Sequence, residues 1–205
     1  PVRPFFQLPD WPGLLPGVEL PRDRCDLPLP DTGEWWLCGP FGNQENRAMR
    51  ETLPCEVEFH PEATYPGGHD PGSFWLSEGS RRLGRDVARW VRRKALRGFI
   101  DFNHVFRPWV CGPGATYPGV AVARCLLHAP ATGNVSLLLG WDEQLGLRVN
   151  DGPLMDLGHH VAFRTRLVTV PLRAGENHLV VKLSNDTGSN HGGWVFSFLA
   201  QTPDG

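Results

Sequence analysis

A chain of 205 residues is long enough for one sizeable β-sandwich or at most two small domains, and one is expected. Its net charge of -2 argues against nucleic acid or an anionic membrane as partner, and no apolar run approaches the roughly 20 residues of a membrane helix. The 24 Gly and 20 Pro beside 40% hydrophobic residues read as many turns between many short strands rather than as disorder.

In chain order, Pro1, Pro4, Pro9, Pro12, Pro16, Pro21, Pro28 and Pro30 come first. That density blocks helix propagation and central-strand pairing, so residues 1–33 are expected to form an extended lead-in or linker. The start at Pro1, with no initiator Met and no signal-like segment, reads as a piece of a longer chain. From Glu34 the pattern changes to short apolar runs between turn residues, placing a globular body over 34–200 and a tail over 201–205. Trp35 to Cys38 before Gly39-Pro40, and Cys55 to Phe59 before Pro61, read as strands. Within Arg85 to Leu96 the residues Val87, Trp90, Val91 and Ala95 recur at helical spacing, while Val87, Arg89, Val91 and Arg93 fit an alternating strand; pattern alone leans to a helix.

The second half is clearer. Val120 to His128, Val135 to Leu139, Leu145 to Val149, Arg166 to Val170, His178 to Leu183 and Trp194 to Leu199 are strand-length runs at the spacing of a sandwich or barrel. Leu145, Leu147 and Val149 share one face, with Arg148 on the other; Leu179, Val181 and Leu183 likewise alternate with Val180 and Lys182. Asn150-Asp151-Gly152 and Arg173 to Asn177 supply turns.

These residues resemble the C-terminal half of galactose-binding-like jelly-roll domains attached to bacterial glycoside hydrolases and related enzymes. The resemblance runs through Val122-Ala123-Arg124-Cys125, Leu137 to Glu143, Leu147-Arg148-Val149-Asn150-Asp151-Gly152, Val170 to Asn177 and Gly192-Gly193-Trp194-Val195-Phe196. It extends more loosely to Trp36 to Phe41 and Gly98 to Phe102, covering roughly 34–200. It implies an all-β jelly-roll sandwich, and by analogy it makes Arg85 to Ala95 a strand against the helical count. In similar domains the turn after the Leu-x-Leu-Gly strand holds paired acids, and in related lectins a vicinal Asp pair there helps hold calcium. Here that turn reads Trp141-Asp142-Glu143-Gln144; no cofactor is expected, and Glu143 in the second position puts a structural calcium in doubt.

Sugar binding needs an aromatic face against the apolar side of a pyranose, with planar polar groups for its hydroxyls. Two loop clusters carry that chemistry: Tyr65, His69, Asp70 and Trp75 in one, and Trp141, Asp142, Glu143, Asn190 and His191 in the other, which is favoured. Trp36 and Trp194 read as structural. The basic run Arg81, Arg82, Arg85, Arg89, Arg92, Arg93, Lys94 and Arg97 reads as a solvated face, or else as a surface for an anionic partner. Catalysis has little support: Asp142 with Glu143, Glu34 with Glu58, and His159-His160 are the conceivable sets, and no nucleophile elbow, phosphate loop or HExxH is present.

Five cysteines, Cys25, Cys38, Cys55, Cys111 and Cys125, make no zinc spacing, and Cys38 and Cys125 are expected as buried free thiols. Their odd number points to a reducing compartment, the resemblance to secretion. Three readings stand in this order: a non-catalytic carbohydrate-binding module of a larger carbohydrate-active protein, with a polysaccharide or oligosaccharide and a catalytic domain as partners; a structural module packed on that domain; and a free-standing enzyme.

Overall fold

The computed structural model describes residues 34–42, 47–66, 74–75, 82–83, 87–95, 98–106, 119–185 and 194–201. The lead-in expected over 1–33 and the tail beyond Gln201 lie outside them. The chain is all-β, a curled antiparallel jelly roll. Its strands are β1 (Glu34–Gly42), β2 (Thr64–Pro66), β3 (Phe74–Trp75), β4 (Arg82–Leu83), β5 (Val87–Lys94), β6 (Phe99–Asp101), β7 (Gly119–Ala129), β8 (Gly133–Val149), β9 (Met155–Leu172), β10 (Gly175–Asn185) and β11 (Val195–Gln201). The described helices are single turns: α1 (Arg47–Arg50), α2 (Pro54–Val57) and α3 (Phe102–Val105).

One sheet runs β2-β5-β1-β7-β10-β8-β11-β6, with β9 added on β8, while β3 and β4 make a separate pair. Strand β8 explains the curl. β9 follows one edge of it from Gly133 to Leu147, whereas two strands share the other edge: β11 takes Ser136 to Asp142 and β10 takes Gln144 to Val149. The register with β9 shifts between Trp141 and Glu143 and again between Gln144 and Gly146. Bulges of this kind bend a strand and let it pass from one layer of a sandwich to the other.

Residues 135–139 and 145–149, expected as two strands around an acidic turn, are therefore a single strand. The intervening residues stay extended because each finds a strand partner on at least one edge: β11 up to Asp142, β9 at Glu143, and β9 and β10 at Gln144. Within the segment 85–95, Val87–Lys94 is the strand β5, as the resemblance implied. Pairing with β1 outweighs the helical spacing: Ala88 and Trp90 face one side of the sheet and Val91 the other. Cys55 to Phe59, expected as a strand, instead begins with α2. Pro54 presets the first helical turn, and the Glu56 carboxylate accepts the Leu53 N–H at 2.7 Å.

The curl encloses the main core, built from Trp35, Leu37, Ala121, Leu137, Leu139, Trp141, Leu145, Leu147, Leu179, Val181, Leu183, Trp194 and Phe196, among others. Trp194 stacks edge-on against Phe102, with ring centroids 5.5 Å apart, and donates its indole N–H to the Leu183 carbonyl. The alternating half of each strand builds a second core on the outer face. There Cys38, Val120, Val122 and Val180 meet Ala48, Met49, Leu53 and Cys55 from the segment 47–57, which caps this part of the sheet.

Two asparagines bind the β8–β9 and β9–β10 turns together. The Asn177 side-chain oxygen accepts from Arg173 N and from the Asn150 amide, and its amide donates to the Arg173 and Gly175 carbonyls. Asn150, at φ 52°, returns the link by accepting the His178 N–H at 2.9 Å.

Candidate functional site

Of the two loop surfaces expected from the sequence, the side chains of Trp141, Asp142, Glu143 and Tyr65 are described. Trp141 is 0% exposed. Its indole N–H donates to the Gly158 carbonyl at 3.0 Å, and its ring lies 4.9 Å from the His160 ring at 34°. No face of it is open to stack on a sugar, which corrects the favoured platform. Asp142 and Glu143 are buried with it. The physical reason is the continuity of β8: in a turn these side chains would project into solvent, but in the strand Trp141 points with Leu137 and Leu139 into the main core. Asn190 and His191 lie outside the described residues.

In the other cluster Tyr65 is buried, and its hydroxyl accepts the Trp90 indole N–H at 3.0 Å while donating to the Glu58 carbonyl at 3.4 Å. It serves the outer core rather than an open platform. His69 and Asp70 lie outside the described residues. Trp75 sits in β3 opposite Arg82, but its side-chain surroundings are not among the described ones.

Among the described residues no three His, Cys, Asp or Glu side chains converge to hold a metal ion. Among the described residues no third ligand joins Asp142 and Glu143 or His159-His160. His160 has its pKa lowered below the usual histidine range by partial burial, then by Arg164, His159 and Arg166, against an opposing pull from Asp142.

The aromatic and planar polar groups meet elsewhere. Beyond Arg89, β5 pairs with β1 alone among the described residues, because β2 reaches only Val87 to Arg89. A groove of about 390 Å³ wraps around this open edge, lined by Trp36, Glu62, Thr64, Arg89, Arg92 and Arg93 together with Pro61, Ala63, Trp90 and Val91. Trp36 is half-buried. It rests edge-on against Phe59 at 5.6 Å, with the Arg92 guanidinium 5.8 Å from its centroid. Arg92 is also held by Glu34 at 3.1 Å. Strand alternation sets Trp36 and Arg92 side by side on one face, and Arg89 and Arg93, which alternate to the other, border the groove where it wraps around the edge. From the sequence, Trp36 reads as structural and the arginines as a solvated face or a surface for an anionic partner. The available signal was the register of two strands about fifty residues apart, which pattern alone does not reveal.

Behind the groove lies a buried charge network. The Lys182 ammonium, fully enclosed, donates to the Glu56 carboxylate at 2.7 Å and to the Glu51 carbonyl, and Arg148 approaches the other Glu56 oxygen at 3.4 Å. Arg124 lies over the Phe59 ring at 4.9 Å, its pKa lowered by burial and by Arg148. These groups are committed to one another and to holding the segment 47–57.

No protein-family model and no curated protein matches the chain. Among solved structures it is similar to a family 35 carbohydrate binding module from Clostridium thermocellum, at 18% identity over 40% of this chain and 68% of that one, with a TM-score of 0.30. It is also similar to a β-glucosidase from Kluyveromyces marxianus, at 10% identity over 82% of this chain and 16% of that one (TM-score 0.43). A GH31 α-xylosidase from Xanthomonas citri matches at 12% identity over 70% of this chain and 16% of that one, with a TM-score of 0.38. The architecture stated above rests on the strand pairing itself.

Proposed function

We propose that the chain is a non-catalytic carbohydrate-binding module of a larger carbohydrate-active protein, and that the groove beside β5 is its binding site. One observation carries this reading: a partly exposed tryptophan lies beside the Arg92 guanidinium in a groove that Glu62, Thr64, Arg89 and Arg93 also line. Trp36 would supply an apolar face for a pyranose, with Arg92 beside it, and Glu62, Thr64, Arg89 and Arg93 around the rim would supply further polar groups for its hydroxyls. Hydrolysis of a glycosidic bond uses two facing carboxylates, and among the described residues Glu62 is the one carboxylate lining the groove.

A fluorescent glycan array, followed by calorimetry on any hit, tests the proposal. Trp36→Ala is expected to weaken the measured affinity by about 1 to 3 kcal/mol, the usual loss for an aromatic stacking platform. Arg89→Ala, at an exposed position, provides a second test less exposed to folding effects. An affinity unchanged in both variants, with circular dichroism unaltered, would remove the groove as the site.

A second reading, a module packed on a catalytic neighbour without binding glycan, is favoured by a different surface. Opposed residues Leu199, Leu138 and Leu167 lie in line across β11, β8 and β9, next to Phe99 and Phe163, whose rings are 5.8 Å apart. All five are at least partly exposed, Leu167 by 56%. A contiguous apolar face of this kind suits a packed interface better than open solvent.

A further inference from the structure

Of the three cysteines described, Cys38 and Cys55 belong to the outer core and are fully buried there, while Cys125 packs against the main core on the opposite side of the sheet. Strand alternation accounts for the division: Cys38 on β1 shares its face with Val122 on β7, whereas Cys125 points with Ala121 and Ala123 to the inside of the curl. Cys55 comes from the other layer, on α2 in the segment that closes over this face. The two side chains lie in one buried cluster, and the Cys55 thiol bears on the titration of Cys38. Among the described cysteines this is the single pair on one side of the sheet, and both are free thiols here.

We propose that Cys38 and Cys55 form a disulfide that fastens the segment 47–57 to β1 when the chain folds in the presence of a small-molecule disulfide such as oxidised glutathione. The Cys55 thiolate attacks one sulfur of glutathione disulfide, forming a mixed disulfide and releasing one glutathione thiolate. The Cys38 thiolate then attacks the Cys55 sulfur and expels the second. Two protein S–H bonds become one S–S bond, the protein gives up two electrons, and one glutathione disulfide becomes two glutathione thiols with the two protons released.

Burial pushes the Cys38 thiol far up from its ordinary range, with the Cys55 hydrogen bond and charge adding to the shift. In the closed structure neither the thiolate nor a path for glutathione is available. Exchange therefore belongs to the stage before the segment 47–57 settles, and the finished bond is screened from reductant.

The test is to refold the denatured chain in a glutathione redox mixture, block remaining thiols, and map peptides without reduction. A Cys38–Cys55 linked peptide and a loss of about 2 Da relative to the reduced protein are expected. The linked form should show a higher urea midpoint than the same protein after dithiothreitol. Refolding the Cys25→Ser, Cys111→Ser, Cys125→Ser triple variant should leave the linkage in place. Both residues recovered alkylated, or either one bridged to Cys25 or Cys111, would overturn the assignment. A linked protein with the same midpoint as the reduced one would overturn its fastening role.

Discussion

Replacing Lys182 by Met tests the account of how the outer segment is held. The ammonium is completely enclosed and its Glu56 partner is 2% exposed, so the substitution leaves a buried carboxylate whose main counter-charge is gone. Arg148 at 3.4 Å and the Leu53 N–H at 2.7 Å compensate in part, and the Glu51 carbonyl loses a donor. Removing one partner of a buried ion pair costs about 3 to 5 kcal/mol, whereas replacing both by apolar groups is often close to neutral. With a urea dependence of about 2 kcal/mol per molar, Lys182→Met should lower the unfolding midpoint by roughly 1.5 to 2.5 M. The paired variant Lys182→Met with Glu56→Met should cost less than the sum of the two single changes, by about 1 kcal/mol or more. Urea titrations followed by tryptophan fluorescence and circular dichroism measure all four proteins. A Lys182→Met loss below about 1 kcal/mol, or strict additivity in the cycle, would refute the buried pair as the anchor.

Other consequences follow from individual contacts. A methyl group at Gly140 would meet Phe163 Cζ at 2.4 Å and Ser197 Oγ at 2.6 Å, so Gly140→Ala is expected to cost about 1 to 3 kcal/mol in urea unfolding. His160 titrates lower in the folded chain than its ordinary 6.5, so the unfolded chain binds more protons there. Its contribution to stability is present above that value and is lost as pH falls through the folded pKa; His160→Gln should flatten that part of the profile, and NMR titration should place the residue below 6.5. Burial raises the Cys125 thiol pKa, so thiol titration of reduced protein should find it slow in the native state and fast after denaturation.

Much of the fold was legible in the sequence where local chemistry and tertiary pairing agree. The alternation through 145–149 and 179–183 placed Leu145, Leu147, Leu179, Val181 and Leu183 in the core, and the turns at Asn150 and Asn177 use their side chains to tie neighbouring strands. Other elements turned on information no local window contains. Val87 to Lys94 has the spacing of a helix but is a strand because β1 pairs along it. Cys55 to Phe59 alternates like a strand but opens in a helical turn because Glu56 caps Leu53 and meets Lys182, 126 residues away.

The candidate site divides in the same way. Residue types suited to sugars were visible in the chain, yet which of them face solvent was decided by partners distant in sequence. Trp141 is sealed because it points with Leu137 and Leu139 into the core that the curl encloses, and Trp36 borders a groove because β2 begins only at Thr64, opposite Arg89, and leaves the rest of β5 open on that side among the described residues. Composition, turn chemistry and two-residue alternation by themselves determined an all-β chain and most of its core, since these act over a few residues. The exposure of each tryptophan, the burial of Lys182 and the pairing of Cys38 with Cys55 were decided only by tertiary structure, because they depend on which strand edges are filled and what closes over each face of the sheet.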